Sequence, residues 1–365
     1  MANTSGTPTR SERLLRALGR PLVIPALALV TALLAGAVIM LLSGDNPLAA
    51  YRGLLEGALG GALAVSRTLR SATPLLLTGL SVAFAFKAGL FNIGAEGQIY
   101  LGALATAAVV RYFPSGNQAV MLLTMTAGAA LAGGAWGYAA GFMKSRWNVN
   151  EVITTLMLNY IAVLWNNYWI FGKWSEAGFQ MTKTFPHSAW LPRLADYAKE
   201  IPAFSGMTAH AGILFGLIAA VIVYLIIYRS KWGYKITLIG DNPKAARYAG
   251  INIAANTILI FMVSGALAGL AGMTEVSGVV HRLQERISTS YGFSGVIVAW
   301  LAKLNPFAVI LVSILFGALL VASREIQPSG ISFLIQGITL FLIISSDVLL
   351  KYEIKWVRPA QETAQ

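Results

Sequence analysis

The chain has 365 residues, of which 56% are hydrophobic and only 12% are charged, and its mean hydropathy is +0.67. Because soluble domains carry about 25% charged residues, this composition excludes a soluble globular protein and predicts a polytopic membrane protein. The formal net charge of +12 comes from basic residues beside apolar segments, the positive-inside pattern, and does not indicate a nucleic-acid-binding surface. With no cysteine and three scattered histidines, neither a disulfide framework nor a metal site is predicted.

The predicted organisation is a basic cytoplasmic arm at 1–20, a transmembrane domain at 21–350 and a cytoplasmic tail at 351–365. Apolar runs long enough to cross a bilayer predict an all-α fold of about ten transmembrane helices, with interrupted or re-entrant segments and both termini in the cytoplasm. The predicted spans are residues 22–42, 72–86, 99–112, 119–143, 152–171, 212–228, 255–273, 292–301, 307–323 and 331–349.

Three of the connecting segments have distinctive patterns. Residues 43–70 are expected outside, with an amphipathic piece at 48–63, and residues 173–210 form the longest hydrophilic segment, which alternation also places outside. The second of these is too short for a domain and is interpreted as a lid or docking surface. In the span at 119–143, small residues at spacings of four allow a close approach to another helix.

A polar stretch at 87–98 interrupts a long apolar run, and Asn92, Glu96 and Gln98 lie within it. Lipid cannot satisfy such groups, and broken backbone at membrane depth is tolerated only against protein or a watery cavity. An ionisable residue at this depth indicates a functional site, so the stretch is interpreted as part of a translocation pathway. The alternative is a short cytoplasmic turn with Glu96 at the level of the lipid headgroups.

A similar order of short apolar segment, polar break and full span occurs at 72–112 and at 292–323. Interrupted hydrophobic segments in corresponding positions of two halves are typical of transporters with internal repeats. The pattern therefore raises an inverted repeat as a hypothesis.

The second informative segment lies in the predicted cytoplasmic loop at 229–254. Asp241 or Asn242 can cap a short helix that begins at Pro243, since proline suits the first helical position, and Gly250 is placed as its C-terminal stop. Such a helix suits docking into a groove on another protein. The alternative is an ordinary solvated loop.

Together, Phe91-Asn-Ile-Gly-Ala-Glu-Gly-Gln98 and Gly240-Asp-Asn-Pro-Lys-Ala-Ala-Arg-Tyr-Ala-Gly250 resemble the permease subunits of bacterial ABC importers for branched-chain amino acids, simple sugars and nucleosides. The lead-in at 71–75 and the stretch at 299–306 fit as well, so the resemblance covers nearly the whole chain. The form of the first motif is most similar to the nucleoside branch.

The resemblance implies a subunit that forms half of a translocation pathway in the bacterial cytoplasmic membrane, in contact with lipid and paired with a second permease. It also implies cytoplasmic ATPase subunits and an external substrate-binding protein as partners, with the loop matching 240–250 as the coupling helix on the ATPase. ATP and magnesium would be bound by the partner, in agreement with the lack of a GxxxxGK[ST] phosphate loop in this sequence, and no cofactor is expected in this chain.

The candidate residues fall into two sets, and neither includes a catalytic group. The pathway candidates are Phe91, Asn92, Glu96, Gln98, Asn159 and Trp300. The ATPase-coupling candidates are Asp241, Asn242, Pro243, Lys244, Ala245, Ala246, Arg247 and Tyr248. The aromatic side chains could stack on a nucleobase, although aromatic residues in membrane helices more often serve packing.

Other classes of protein remain as alternatives. An ion-coupled secondary transporter of a small polar solute would use Glu96 as its buried carboxylate, but the other acidic residues lie near predicted helix ends. A membrane-embedded enzyme would need clustered nucleophile or histidine motifs, which this sequence lacks, and a purely structural subunit would leave the break at 92–98 without a purpose. Within the importer interpretation, a simple sugar is the alternative substrate.

Overall fold

The computed structural model describes residues 30–322 except 32, 43 and 45, together with 337, 338 and 341. The arm at 1–20, the tail at 351–365 and most of the predicted last span at 331–349 lie outside the described residues, as does the first part of 22–42. Throughout the described part the regular structure is helical, with three isolated β-bridges and no strand. The predicted all-α membrane fold is confirmed.

The helices occupy most of the predicted apolar segments. They are α1 Leu33–Leu42, α2 Pro47–Leu59, α3 Ala62–Phe86, α4 Ala95–Tyr112, α5 Gln118–Trp147, α6 Glu151–Phe171, α7 Gly212–Arg229, α8 Lys231–Asp241, α9 Pro243–Tyr248, α10 Ile253–Glu275, α11 Tyr291–Leu301 and α12 Pro306–Ala322. A π-helical turn, Val276–Val280, continues α10.

Among the described residues, four helices are long and apolar enough to cross a membrane, namely α3, α5, α7 and α10 with its π-turn. Helices α1, α11 and α12 are apolar but shorter. Helices α4 and α6 also lie on predicted spans. Both contain polar side chains, among them Glu96 and Gln98 in α4 and Asn159 in α6. The multi-pass character of the chain therefore rests on several helices of different lengths.

The chain divides into two compact units, one made of Met1–Ala50 with Pro328–Gln365 and the other of Tyr51–Gln327. In the first unit, α1 buries Met40 and exposes Leu41 and Leu42. In the second unit, α3 is central: almost all of its length from residue 71 to its end is buried, and α7, α10, α11 and α12 pack against it.

The close approach predicted for the fourth span is present between α5 and α10. A Cβ built on Gly265 would lie 3.0 Å from the carbonyl carbon of Gly133 and 3.2 Å from the Cα of Gly137. Backbones can come this near only where small residues face each other, which is the usual way in which membrane helices pack.

The predicted start of the second span is wrong. The second span begins at Ala62 rather than at residue 72, and the expected amphipathic piece at 48–63 is the separate helix α2. Polar residues in the added part of the helix are satisfied within the protein: the Thr68 hydroxyl donates to the Ala58 carbonyl (2.9 Å), and Ser66 Oγ accepts from the Ala209 N–H (2.8 Å). Helix formation therefore continues through them.

Candidate functional site

The break between α3 and α4 is shorter than the sequence indicates. The residues outside helices are 87–94, and α4 already begins at Ala95, so Glu96 and Gln98 lie in its first turns rather than in a twelve-residue interruption. The first N–H groups of a helix have no partner within the helix, and the side chain of Asn159 supplies one, with Oδ1 accepting from Gly97 N (2.8 Å). This tertiary hydrogen bond helps the helix to start within a glycine-rich sequence.

Asn92 ties the break to two helices. Its side chain is fully buried; Oδ1 accepts from Gly94 N (3.0 Å), while Nδ2 donates to Ser264 Oγ (2.8 Å) and to Gln98 Oε1 (3.1 Å). Ser264 is itself bonded to α3, since its hydroxyl donates to the Ser81 carbonyl at 2.7 Å. The amides therefore hold α3, α4 and α10 around the break.

Two polar residues of α6 satisfy the backbone of the break. Asn159 Nδ2 donates to the Ile93 carbonyl at 2.9 Å, in addition to the bond that its Oδ1 makes with Gly97. The Ile93 N–H donates to Thr155 Oγ1 at 3.3 Å. Asn159 was predicted as a pathway residue, and the structure brings it to the break, where it is buried and bonded to main chain on both sides. Thr155 was not predicted.

Glu96 joins the two interrupted segments of the sequence. Its Oε2 accepts from the N–H of Gly292, the second residue of α11, at 2.8 Å, and its carboxylate is hydrogen-bonded to the Ser288 side chain. The residue before α11, Ser290, provides no side-chain cap. Glu96, which belongs to α4, caps α11 instead. A carboxylate at a helix N-terminus is favoured by the helix dipole.

This contact requires a glycine at 292. A Cβ built there would collide with the backbone of Glu96 and would lie 2.8 Å from the carbonyl carbon of Ala95. Glu96 is 7% exposed, and no ion pair to it is present in the part of the chain that the structure describes. The N-termini of α4 and α11 therefore meet directly, with one buried carboxylate between them.

The aromatic pathway candidates lie beside these buried amides. Phe91 is 41% exposed although its neighbours Leu90 and Asn92 are buried, and its ring meets the Phe86 ring at 5.0 Å between centroids. Trp300, near the end of α11, is half-buried, and its ring also contacts the Phe86 ring, with 5.9 Å between centroids. The six predicted pathway residues therefore divide into four buried polar groups and two aromatic groups with accessible surface.

The short helix predicted at 243 is present as α9. Asn242, and not Asp241, caps it: Oδ1 accepts from Lys244 N (3.1 Å) and Ala245 N (3.0 Å), Pro243 is its first residue, and Gly250 follows it with a φ of +72°. Asp241 instead ends α8, a helix that lies within the segment predicted as a loop at 229–254.

The surface of α9 is unequal. Tyr248 is 93% exposed, and Pro243, Lys244 and Arg247 are exposed beside it, whereas Ala246 is fully buried inside the chain. Ala246 was among the residues predicted for ATPase coupling, but its side chain is not available to a partner.

The segment at 173–210, which is predicted to lie outside, is more deeply anchored than its hydrophilic composition suggests. It buries Trp174, Phe185 and Leu191, and its backbone bonds to the segment that follows α10, with the Phe185 N–H donating to the His281 carbonyl at 2.7 Å. The Arg193 side chain also donates from Nε to the Gly278 carbonyl (2.9 Å). The segment is therefore built into the fold, and its role as a lid or docking surface stays a prediction.

Two histidines, His210 and His281, lie in this segment and against it. His281 stacks on Trp190 with 3.7 Å between ring centroids and 6° between planes. Burial, helped by the charge of Arg193, lowers the pKa of His281 to about 4, and burial lowers the pKa of His210 to about 3. Both side chains are therefore neutral near pH 7. The described residues contain no group of three or more His, Cys, Asp or Glu side chains that could hold a metal ion.

Comparison with known proteins gives a family and several relatives. The family described as branched-chain amino acid transport system, permease component, matches residues 64–344. The guanosine ABC transporter permease protein NupP of Bacillus subtilis is 36% identical over 329 residues, which cover 88% of this chain and 92% of NupP. The nucleoside ABC transporter permease protein NupB of Lactococcus lactis is 32% identical over 86% of each chain.

A sugar permease is also similar. The glucose ABC transporter permease protein TsgB13 of Haloferax volcanii is 31% identical over 90% of this chain and 89% of its own length. A further guanosine ABC transporter permease protein of Bacillus subtilis, NupQ, is 26% identical over 69% of this chain and 79% of NupQ. No solved structure matches the chain.

Proposed function

We propose that this chain, which belongs to the family of branched-chain amino acid transport permeases, is the pathway-forming subunit of an ATP-driven importer of nucleosides. The observation that carries the substrate class is the similarity, over most of the chain, to permeases named for guanosine and for nucleosides. Simple sugars are the second candidate, because a glucose permease is similar at 31% identity.

The residues at the break suggest two roles, contact with the substrate and support of the pathway wall. Phe91 has an exposed aromatic ring on which a nucleobase can stack, and this ring packs against the Phe86 ring. Stacking of a base on an aromatic side chain contributes about 1–3 kcal/mol. Asn92, Glu96 and Asn159 are occupied by bonds within the chain, so we assign them the task of holding the wall of the pathway in shape. Trp300 would border the same wall.

The partners follow from the exposed surfaces and from the relatives. The basic and aromatic face of α9, formed by Lys244, Arg247 and Tyr248, is the proposed contact with a cytoplasmic ATPase, which would bind ATP and magnesium. A second permease of the same family would complete the pathway, in keeping with the presence of NupP and NupQ in one organism. A substrate-binding protein would deliver the nucleoside from outside.

The proposed location is the bacterial cytoplasmic membrane with both termini inside. Under this orientation α8 and α9 face the cytoplasm and the segment at 173–210 faces outside. The basic residues of α8 and α9 agree with it, because lysine and arginine accumulate on the cytoplasmic side.

Uptake of labelled guanosine tests the substrate class. The complete transporter is produced in cells that lack their own nucleoside uptake, and uptake is measured with excess unlabelled nucleoside or glucose as competitor. We expect competition by nucleosides and not by glucose. Absence of guanosine uptake by a transporter that does take up labelled glucose would contradict the proposal and favour the sugar alternative.

A variant of Phe91 tests the stacking role within the same assay. Phe91→Leu removes the aromatic face and is expected to raise the guanosine KM about tenfold, while Phe91→Tyr keeps the face and is expected to behave like the wild type. Phe113→Leu is the matched control, since Phe113 is 72% exposed at the far end of α4. An unchanged KM in Phe91→Leu would remove Phe91 from the pathway.

A further inference from the structure

The turn that opens the break lies directly against the C-terminal end of α8. A Cβ built on Gly240 would lie 2.5 Å from the carbonyl oxygen of Lys87 and 3.0 Å from the carbonyl carbon of Ala88. From the opposite side, a Cβ built on Gly89 would lie 3.5 Å from the Cα of Gly240. The two main chains therefore touch without an intervening side chain. We refer to Gly240 and residues 87–89 as the glycine seam.

Helix α8 is held firmly at its other end. The Trp232 ring meets the Phe84 ring of α3 at 5.6 Å between centroids, and its Nε1 donates to Asn256 Oδ1 at the start of α10 (2.9 Å). Ile236 and Ile239 are buried on the inner face of α8. The helix is thus a short rigid element that is fixed to α3 and α10.

The turn on the other side of the seam has a second contact of its own. The Lys87 ammonium lies over the Tyr228 ring at the end of α7, 5.5 Å from its centroid. Residues 87–89 are therefore held between the end of α7 and the end of α8. A displacement of either helix end acts on this turn.

The seam stands between the two functional segments along the chain. On one side, Asp241 alone separates Gly240 from Asn242, the residue that caps α9. On the other side, Leu90 alone separates Gly89 from the exposed ring of Phe91. The exposed surface of α9 and the accessible part of the break are therefore joined by short stretches of chain and one main-chain contact.

We propose that Gly240 is a positioning residue that makes the glycine seam the mechanical link between α9 and the break, so that movement of α9 shifts Phe91 and the residues around it. This inference rests on the proposed function, in which α9 docks on the ATPase. A contact between side chains can relax by changing rotamers, whereas a contact between main chains of close-packed elements passes displacement on with little loss. The residue at 240 must therefore have no side chain.

The first test is Gly240→Ala in the complete transporter in proteoliposomes. The added methyl group would have to move about 0.9 Å to reach the ordinary contact distance of 3.4 Å from its present 2.5 Å, which separates α8 from the turn. The exposed face of α9 is unchanged, so ATPase binding and hydrolysis are expected to persist while guanosine taken up per ATP hydrolysed falls at least tenfold. Gly116→Ala is the matched control, because a Cβ there meets nothing within 4 Å, and it is expected to transport like the wild type.

A second variant keeps the inference testable if Gly240→Ala does not fold. Two glycines inserted between Asp241 and Asn242 leave the seam and α9 intact and loosen only their connection. The same insertion after Gly116 is the control. We expect the first insertion to bind ATPase and to lose uptake per ATP at least tenfold, and the second to lose neither.

The outcomes separate the inference from the proposed function. Wild-type uptake per ATP in Gly240→Ala or in the insertion variant would overturn the link through the seam, and so would loss of ATPase binding in either variant while their controls bind. A wild-type complex that hydrolyses ATP without moving guanosine would instead contradict the proposed function. Normal uptake in the wild type together with uncoupled hydrolysis in the two variants supports both.

Discussion

The buried carboxylate of Glu96 allows a prediction in which charge and hydrogen bonding are separated. Glu96→Ala removes the acceptor that the Gly292 N–H uses at 2.8 Å. An unpaired N–H in this buried position costs about 1–3 kcal/mol, and loss of the charge at the N-terminus of α11 costs about 0.3–1 kcal/mol more. The free energy of unfolding should therefore fall by about 1.5–4 kcal/mol on the same grounds.

Glu96→Gln should be much milder, because the side-chain carbonyl can still accept from Gly292 and the Ser288 hydroxyl can rotate to accept from the new amide. The expected loss is the dipole contribution, about 1 kcal/mol or less. Since a nucleoside is neutral and does not need a fixed carboxylate, we expect the Gln variant to retain most transport.

The assay is the thermal midpoint of the purified permease together with the guanosine uptake rate. At about 2–4 °C per kcal/mol for a large chain, the Ala variant should melt roughly 3–16 °C below the wild type, and the Gln variant within about 4 °C of it. Glu200→Ala is the control, because the carboxylate of Glu200 is exposed. Wild-type stability and uptake in Glu96→Ala would refute the bridging role, and loss of uptake in a stably folded Glu96→Gln would show that the charge itself is needed.

Three further predictions concern other parts of the chain. Asn159→Ala removes two bonds to the break, at 2.8 and 2.9 Å, and should lower stability by about 2–4 kcal/mol; an unchanged melting temperature would show that the break does not need them. Burial lowers the pKa of His281 to about 4 and of His210 to about 3. The contribution of these neutral side chains to the free energy of unfolding is therefore full above the ordinary histidine pKa of about 6.5. It falls as the pH drops from there toward 4, because the unfolded chain binds protons in this range that the folded chain does not bind. His281→Phe should reduce this pH dependence in melting curves between pH 7.5 and 5, and an identical slope would contradict it. In intact cells, an impermeant maleimide should label Lys183→Cys and not Lys244→Cys in this cysteine-free chain; the reverse result would invert the topology.

Much of the fold could be predicted from local patterns. The apolar runs located the helices, and the order of Asn242, Pro243 and Gly250 predicted α9 to within a residue, because a cap, a first residue and a stop act over a few positions of chain. The amides and the carboxylate near residue 92 marked the break for a similar reason: polar groups in an apolar run need a partner.

The partners of those groups could not be predicted, because they come from distant parts of the sequence. Thr155 and Asn159 lie on α6, and Ser264 lies in the middle of the apolar helix α10. An isolated serine in such a helix is a common source of interhelical hydrogen bonds, but nothing local says which helix it will face. For the same reason the start of α4 at Ala95 was missed.

Side-chain exposure was equally hard to infer from the sequence. Ala246 and Tyr248 are neighbours on one short helix, yet one is fully buried and the other is 93% exposed. The packing of α9 against its own chain decides this difference. The burial of Phe185 and Leu191 in a segment of hydrophilic composition arises in the same way, from pairing with His281 and Ser277, which follow α10.

As the pathway subunit of a nucleoside importer driven by ATP, this chain should move guanosine only together with its ATPase. The most direct test reconstitutes it in proteoliposomes with the second permease, the ATPase and the binding protein, and measures guanosine uptake with ATP on the ATPase side. We expect uptake that requires ATP hydrolysis and disappears when the ATPase is omitted. Guanosine uptake by this chain without the ATPase, driven by a proton or sodium gradient alone, would contradict it.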